Sequence, residues 1–245
     1  MIADVLTVIW KEFKELLPLR EIRTGVIPRL GIPIFVLGVL LPLQFGKEWA
    51  TSPITLLSWI WLPPFLVTSL VADSFAGERE RHTMETLLAS RLSDDAILFG
   101  KIGATVCYGC GVAFVGMLVG LVTINLAYGG GELLMYSADT ALIATVVSIL
   151  VTLLIASVGV LISLRAPTVR HAQQTLSIGF IILWFAIIYG VQAIPVEFRK
   201  HLTEILITVG ETNVILCTVI FLILIDIFFT MMAKIRFKRP RLILD

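Results

Sequence analysis

The sequence predicts an all-α polytopic membrane protein, with six transmembrane helices preceded by an N-terminal interfacial amphipathic helix and both termini cytoplasmic. Three observations carry this expectation. Of the 245 residues, 58% are hydrophobic and 15% charged, with a mean hydropathy of +0.97, whereas a soluble domain is about half apolar and about a quarter charged. The apolar residues fall in long uncharged runs that recur along the whole chain. The 19 lysines and arginines cluster between those runs, so the net charge of +1 conceals an ordered distribution.

A membrane-crossing helix needs about 20 mostly apolar residues. Six stretches qualify: Val26 to Phe45, Ile54 to Ala72, Ile102 to Asn125, Ala141 to Leu164, Leu176 to Ile194 and Ile205 to Ala233. The first holds Arg29, Pro33 and Pro42, which predicts an interfacial start and a bent middle; Pro63 and Pro64 predict a kink in the second. With both ends inside, sixteen basic residues lie on cytoplasmic segments and three, Lys47, Arg199 and Lys200, on outer ones. That asymmetry is the one that orients helices in a membrane. The expected organisation is an interfacial helix over 1–25, a six-helix transmembrane domain over 26–233 with a cytoplasmic loop at 73–101, and a basic cytoplasmic tail over 234–245. The expected location is the cell membrane.

Near the N-terminus, Val5, Ile9, Trp10, Phe13, Leu16, Leu17 and Ile22 recur against Lys11, Lys14, Glu15 and Arg20 at helical spacing. This suits a helix lying in the interface, either as an anchor for the first span or as a docking surface. In the 73–101 segment, Met84, Leu87, Leu88 and Leu92 form one apolar stripe beside Glu78, Arg81 and Glu85, which predicts a short amphipathic helix. Ser93 is placed to cap the next helix, with Asp94 and Asp95 in its first turn. A surface helix of this kind either docks into a groove on another protein or simply connects two spans.

The run from Gly77 to Leu88, Gly-Glu-Arg-Glu-Arg-His-Thr-Met-Glu-Thr-Leu-Leu, continued by Ala89-Ser90-Arg91-Leu92-Ser93 and by Phe99-Gly100-Lys101, resembles the cytoplasmic loop of type 2 ABC transporter permeases. His82 stands where a Gly is common in that loop, and Arg91 where the turn often has Pro. The six spans, the N-terminal helix and the basic turn at Ser163-Leu164-Arg165 extend the resemblance over nearly the whole chain. It implies a permease subunit, with no nucleic-acid partner, that sits in the lipid bilayer and pairs with a second permease and with two copies of a separate ATPase. Carried over residue by residue, it implies that Glu78, Arg79, Glu80, Thr83, Glu85, Leu87 and Leu88 contact that ATPase. The chain has no G-x-x-x-x-G-K-[ST] run, so ATP and Mg are expected in the partner subunit and no cofactor in this one. The loop does not resemble the Glu-Ala-Ala loop of the classical importers, which points to export of a substrate the sequence does not identify.

Ionisable and amide groups at membrane depth are candidate pathway residues. Asp226 lies in an otherwise apolar run of the sixth span, and Asn125 and Gln192 lie near span ends. Asp226 has several readings: a point on the translocation path or a cation site, a carboxylate paired with a base such as Lys101 or Arg165, or a protonated group. Small and polar residues such as Ser148, Thr152, Ser157 and Thr218 line a path or glue helices together. Residues 195–208 form either a re-entrant element or an exposed outer turn. An intramembrane enzyme needs converging His, Cys or acids, and His82, His171 and His201 all lie in loops. The alternatives to an ABC permease are an ion-driven secondary transporter, for which no repeat is evident, and a membrane scaffold that recruits an ATPase.

Overall fold

The computed structural model describes residues 1–16, 27–198 and 210–237, with no strand among them. Helix α1 (Ile2–Leu16) is followed by α2 (Ile27–Phe35), a π-helical turn Val36–Leu40 and α3 (Leu41–Phe45). The short α4 (Glu48–Thr51) leads into α5 (Pro53–Glu80), and α6 (Met84–Ala89) separates α5 from α7 (Asp94–Tyr128). Then come α8 (Ala138–Ser163), α9 (Val169–Ala193) and a final helix, α10 (Glu211–Arg236). Five of these, α5 and α7 to α10, are long and apolar enough to cross a membrane.

The first expected span is described from Ile27 to Phe45, helical throughout with a π-helical turn in its middle. Its apolar part, Gly31–Phe45, is shorter than a crossing helix, and the prolines account for its irregularity. Pro42 has no N–H, so the carbonyl of Gly38 loses its donor four residues on. The hydroxyl of Thr123, on α7, lies 2.8 Å from that oxygen and replaces the donor. The turn widens there, with the Leu41 N–H reaching back to Val36 O. Gly38 permits the close approach, since a Cβ there would lie 2.9 Å from Val119 Cγ1.

The same device recurs in α5, whose interior holds Pro63 and Pro64. Pro63 leaves Trp59 O without its helical donor, and Ser148 Oγ of α8 donates to it at 3.3 Å. Prolines are tolerated at membrane depth when a neighbouring hydroxyl satisfies the freed carbonyl in this way. Helix α5 packs against α7, α8 and α9 and is the centre of the bundle. Small residues let it be approached closely: a Cβ on Gly109 of α7 would lie 2.7 Å from Val67 Cγ1, and one on Gly159 of α8 would collide with Val71.

Helix α5 does not stop at Ala72 but continues through the charged residues to Glu80, about 42 Å in all at 1.5 Å per residue. The 73–101 segment is therefore a helix extension, the one-and-a-half turns of α6, and the start of α7. Ser93 caps α7 as its position suggests, its Oγ accepting from Ala96 N at 3.2 Å. Helix α1 lies along the start of α7, where a Cβ on Gly100 would stand 2.5 Å from Val8. The C-terminal end of α10 reaches the same place, with Lys234 Nζ 2.8 Å from Asp95 Oδ2 and the Phe237 ring 4.9 Å from that of Phe75. Both described ends of the chain therefore meet at one charged end of the bundle.

Besides a small cluster of Ala72, Ala76, Ala166, Ala172 and Leu176 where α5 meets α9, two larger apolar cores result. One, at the charged end, gathers Val71, Phe75, Leu88, Ile97, Leu98, Val160 and Phe237. The other, at the opposite end, is built on Trp49, Trp59, Leu62, Ala113 and Ile124. Helices α9 and α10 turn large apolar side chains such as Ile181, Trp184, Leu224 and Phe228 outward, as helices bounded by lipid or another membrane subunit do. Of the 195–208 segment, residues 199–208 lie outside the described residues, as do 17–25 of the N-terminal segment and 238–245 of the tail.

Candidate functional site

At the charged end, helix α1 brings Val5, Val8 and Ile9 onto α7, and Glu12 continues that stripe one turn further on. A carboxylate on a packed face needs a cation. Lys101, in the second turn of α7, supplies it: its Nζ lies 2.8 Å from Glu12 Oε1 and 3.3 Å from Glu78 Oε1. Lys101 is only 3% exposed, and its ammonium also stands 5.5 Å from the centre of the Phe75 ring. Lys11 approaches Glu78 Oε1 at 3.3 Å and Glu15 at 3.1 Å. Partial burial pulls the Lys11 ammonium down, but the Glu15 hydrogen bond and the nearby Glu78 and Glu12 carboxylates outweigh it and raise its pKa.

The other oxygen of Glu78 accepts from the Thr83 hydroxyl, which also reaches Glu78 O at 3.2 Å. One buried acid thus joins α1, α5, α7 and the turn into α6. His82 forms the corner of that turn with φ of 58°, a left-handed conformation in which Gly carries no steric penalty. Arg81 closes back on Asp73 with both oxygens at 2.8 Å. These groups surround a cavity of about 680 Å³ between α1, the end of α5, α6 and the start of α7.

The neighbouring residues face the other way. Arg79 donates to Leu164 O at 2.7 Å and to Ala166 O, covering carbonyls at the end of α8. Glu80 accepts from Val169 N at 3.1 Å, at the start of α9. Ser163 of α8 donates to Ala72 O at 2.9 Å and accepts from Ala76 N at 2.9 Å. The inner end of α5 is therefore clasped to the α8–α9 turn by three side chains.

Of the residues singled out from the sequence, Glu78, Arg79, Glu80 and Thr83 come together here. Leu88 is buried in the core beside Phe75 and Ile97, with Met84, Leu87 and Leu92 packed against the same cluster. The apolar stripe of α6 thus faces its own chain. Its outward face is Glu85, Thr86 and Ala89, all exposed.

Asp226, Asn125 and Gln192 lie elsewhere, on α10, α7 and α9 respectively. Asn125 uses its amide on the loop after α7, donating to Leu134 O and accepting from Leu134 N, both at 2.8 Å. Gln192 is exposed near the far end of α9. Asp226 is 4% exposed on α10, and neither carboxylate oxygen has a hydrogen-bond partner among the described residues. Lys101 is thus committed to Glu12 and Glu78 rather than to Asp226. Among the described residues, no group of three or more His, Cys, Asp or Glu is placed to hold a metal.

Sequence reasoning gave Glu12 no role and did not find the Lys101 hub or Ser163 clasp. The available signal was the i, i+3, i+4, i+7 register of Val5, Val8, Ile9 and Glu12, which puts an acid on a packing face.

The family described as ABC-2 type transporter matches residues 5–209. No curated protein and no solved structure matches the chain. With a loop of this composition between α5 and α7, five apolar helices of crossing length and a family match over most of its residues, the chain belongs to the ABC-2 type transporter family, as a multi-pass permease domain of an ABC transporter.

Proposed function

We propose that this chain is the transmembrane permease subunit of an exporter, pairing with a second permease, identical or not, and with two copies of a separate ATPase that binds ATP and Mg. The charged end faces the cytoplasm, with both termini there, in the orientation that places most lysines and arginines inside. Nucleotide-driven closure of the ATPases pushes on α6 and the 80–93 turns, and the bundle responds by alternating access for the substrate. Within the coupling set, Glu85 and the exposed parts of Glu80 and Thr83 touch the ATPase, while Glu78, Arg79, Leu87 and Leu88 hold the loop to the bundle. Asp226, Asn125 and Gln192 are the residues to examine for contact with substrate. The observation that carries this reading is the outward face of α6, short, polar and rigidly backed, on a chain of this family.

Pull-down of the tagged protein in mild detergent tests it, with subunit masses and ATPase activity measured on the complex. A P-loop subunit at one-to-one ratio, lost in the Glu85→Arg, Thr86→Asp variant without change in thermal stability, supports the coupling site. Recovery of the chain alone and without ATPase activity favours an ion-driven carrier. An ATPase that binds but gives no transport on reconstitution favours a scaffold.

A further inference from the structure

The charged end has a second cavity, of about 340 Å³, between the inner ends of α8, α9 and α10. Its volume falls in the range of roughly 300–1,000 Å³ common for small-ligand sites. The floor is apolar, with Leu161, Ile162 and Met232, and the rim carries Arg165, His171 and Arg236. No carboxylate lines it.

The two arginines are left unpaired among the described residues, as Lys14, Arg91 and Arg170 are, while the remaining described inner cations are taken up by partners. Lys11, Arg79, Arg81, Lys101 and Lys234 each have a carboxylate or carbonyl partner. Arg165 and Arg236 are exposed and have no ion pair or side-chain hydrogen bond among the described residues. Two planar guanidinium groups facing an apolar cleft suit a tetrahedral phosphate bound through paired N–H groups. Exposed apolar side chains lie next to the cleft, Ile178 on α9 and Met231 on α10 one step toward the middle of the bundle and Ile235 beside Arg236.

We propose that this cleft binds the phosphate headgroup of an anionic phospholipid of the inner leaflet, with an acyl chain lying along α9 and α10. Basic pockets between membrane helices on the cytoplasmic side hold such headgroups. The charge asymmetry favours a lipid over a protein: the rim carries two arginines and no carboxylate and the floor is apolar, and a bilayer with an anionic inner leaflet presents that combination continuously.

The test uses the full-length protein in mild detergent, with native mass spectrometry counting bound phosphatidylglycerol against phosphatidylcholine. Wild type is expected to retain phosphatidylglycerol preferentially, and Arg165→Gln with Arg236→Gln to weaken that binding about tenfold or more. The control, Lys14→Gln with Arg91→Gln, removes two charges from the same end away from the cleft and is expected to bind like wild type. Excess inorganic phosphate is expected not to displace the lipid. Should the glutamine pair not give folded protein, Arg236→Gln alone is read the same way. Equal retention of both lipids, equal loss in the control, or displacement by inorganic phosphate would overturn the proposal. None of these readouts depends on ATPase binding or transport, so the result stands apart from the permease reading.

Discussion

Lys101 and Glu12, 89 residues apart in sequence, meet at 2.8 Å in the interior of the charged end. The contact fixes α1 to α7 in one rotational setting, because the same ammonium must also reach Glu78 at 3.3 Å. A Lys101→Met variant leaves two carboxylates facing one another, with Lys11 as their remaining cation. Removing one member of a buried ion pair costs about 3–5 kcal/mol. The expected result is a markedly lower midpoint in a thermal unfolding scan in detergent, with Lys101→Arg recovering part of it. An unchanged midpoint for Lys101→Met would show that the network adds nothing to stability.

The hydroxyl of Thr123 stands in for the amide that Pro42 lacks. Thr123→Val should therefore destabilise by about 1 kcal/mol, the usual size of a hydrogen bond between membrane helices. Pro42→Ala restores an N–H near Gly38 O, so the loss from Thr123→Val should shrink in that background. A double-mutant cycle on unfolding midpoints reads the coupling. Strict additivity would mean that the hydroxyl and the proline act independently.

His82 is the described non-glycine residue with positive φ. That conformation costs an ordinary residue about 1–2 kcal/mol. His82→Gly should thus keep or raise the unfolding midpoint and retain the ATPase, while His82→Val, β-branched, should lower the midpoint. If His82→Gly lost ATPase binding at unchanged stability, the imidazole itself would be part of the docking surface.

Asp226 has no partner among the described residues. Asp226→Asn, of nearly equal volume, should leave the unfolding midpoint unchanged, since no ion pair is broken. A fall of several degrees would reveal a cation bound to the carboxylate. Loss of transport with normal stability and assembly would place the acid on the substrate path.

The long apolar helices were legible because hydropathy at membrane depth leaves little choice of structure. So was the Ser93 cap, whose mechanism is local. The length of α5 was not: Asp73, Glu78 and Arg79 read as loop residues, yet each is satisfied by a group distant in sequence or by a turn of its own helix. For the same reason the direction of the α6 stripe was hidden. Periodicity shows that Met84, Leu87 and Leu88 share a face, but only the positions of Phe75 and Phe237 show that this face turns inward. Asn125 was singled out for its polarity alone, and its three hydrogen bonds to the Leu121 and Leu134 backbone depend on where the following loop returns.

The clasp at the end of α5 has a mechanical consequence. Below Val71 the helix is locked to α8 by Ser163 and the Gly159 contact, and to the α8–α9 turn by Arg79 and Glu80. Above it, Pro63 and Pro64 interrupt the backbone ladder. The lower half of α5 and the α8–α9 hairpin therefore behave as one stiff lever, and the proline pair is its compliant joint. If α6 is the docking helix as proposed, a thrust delivered there would reach the far end of the bundle as a change of bend at that joint, not as a slide of one helix along another.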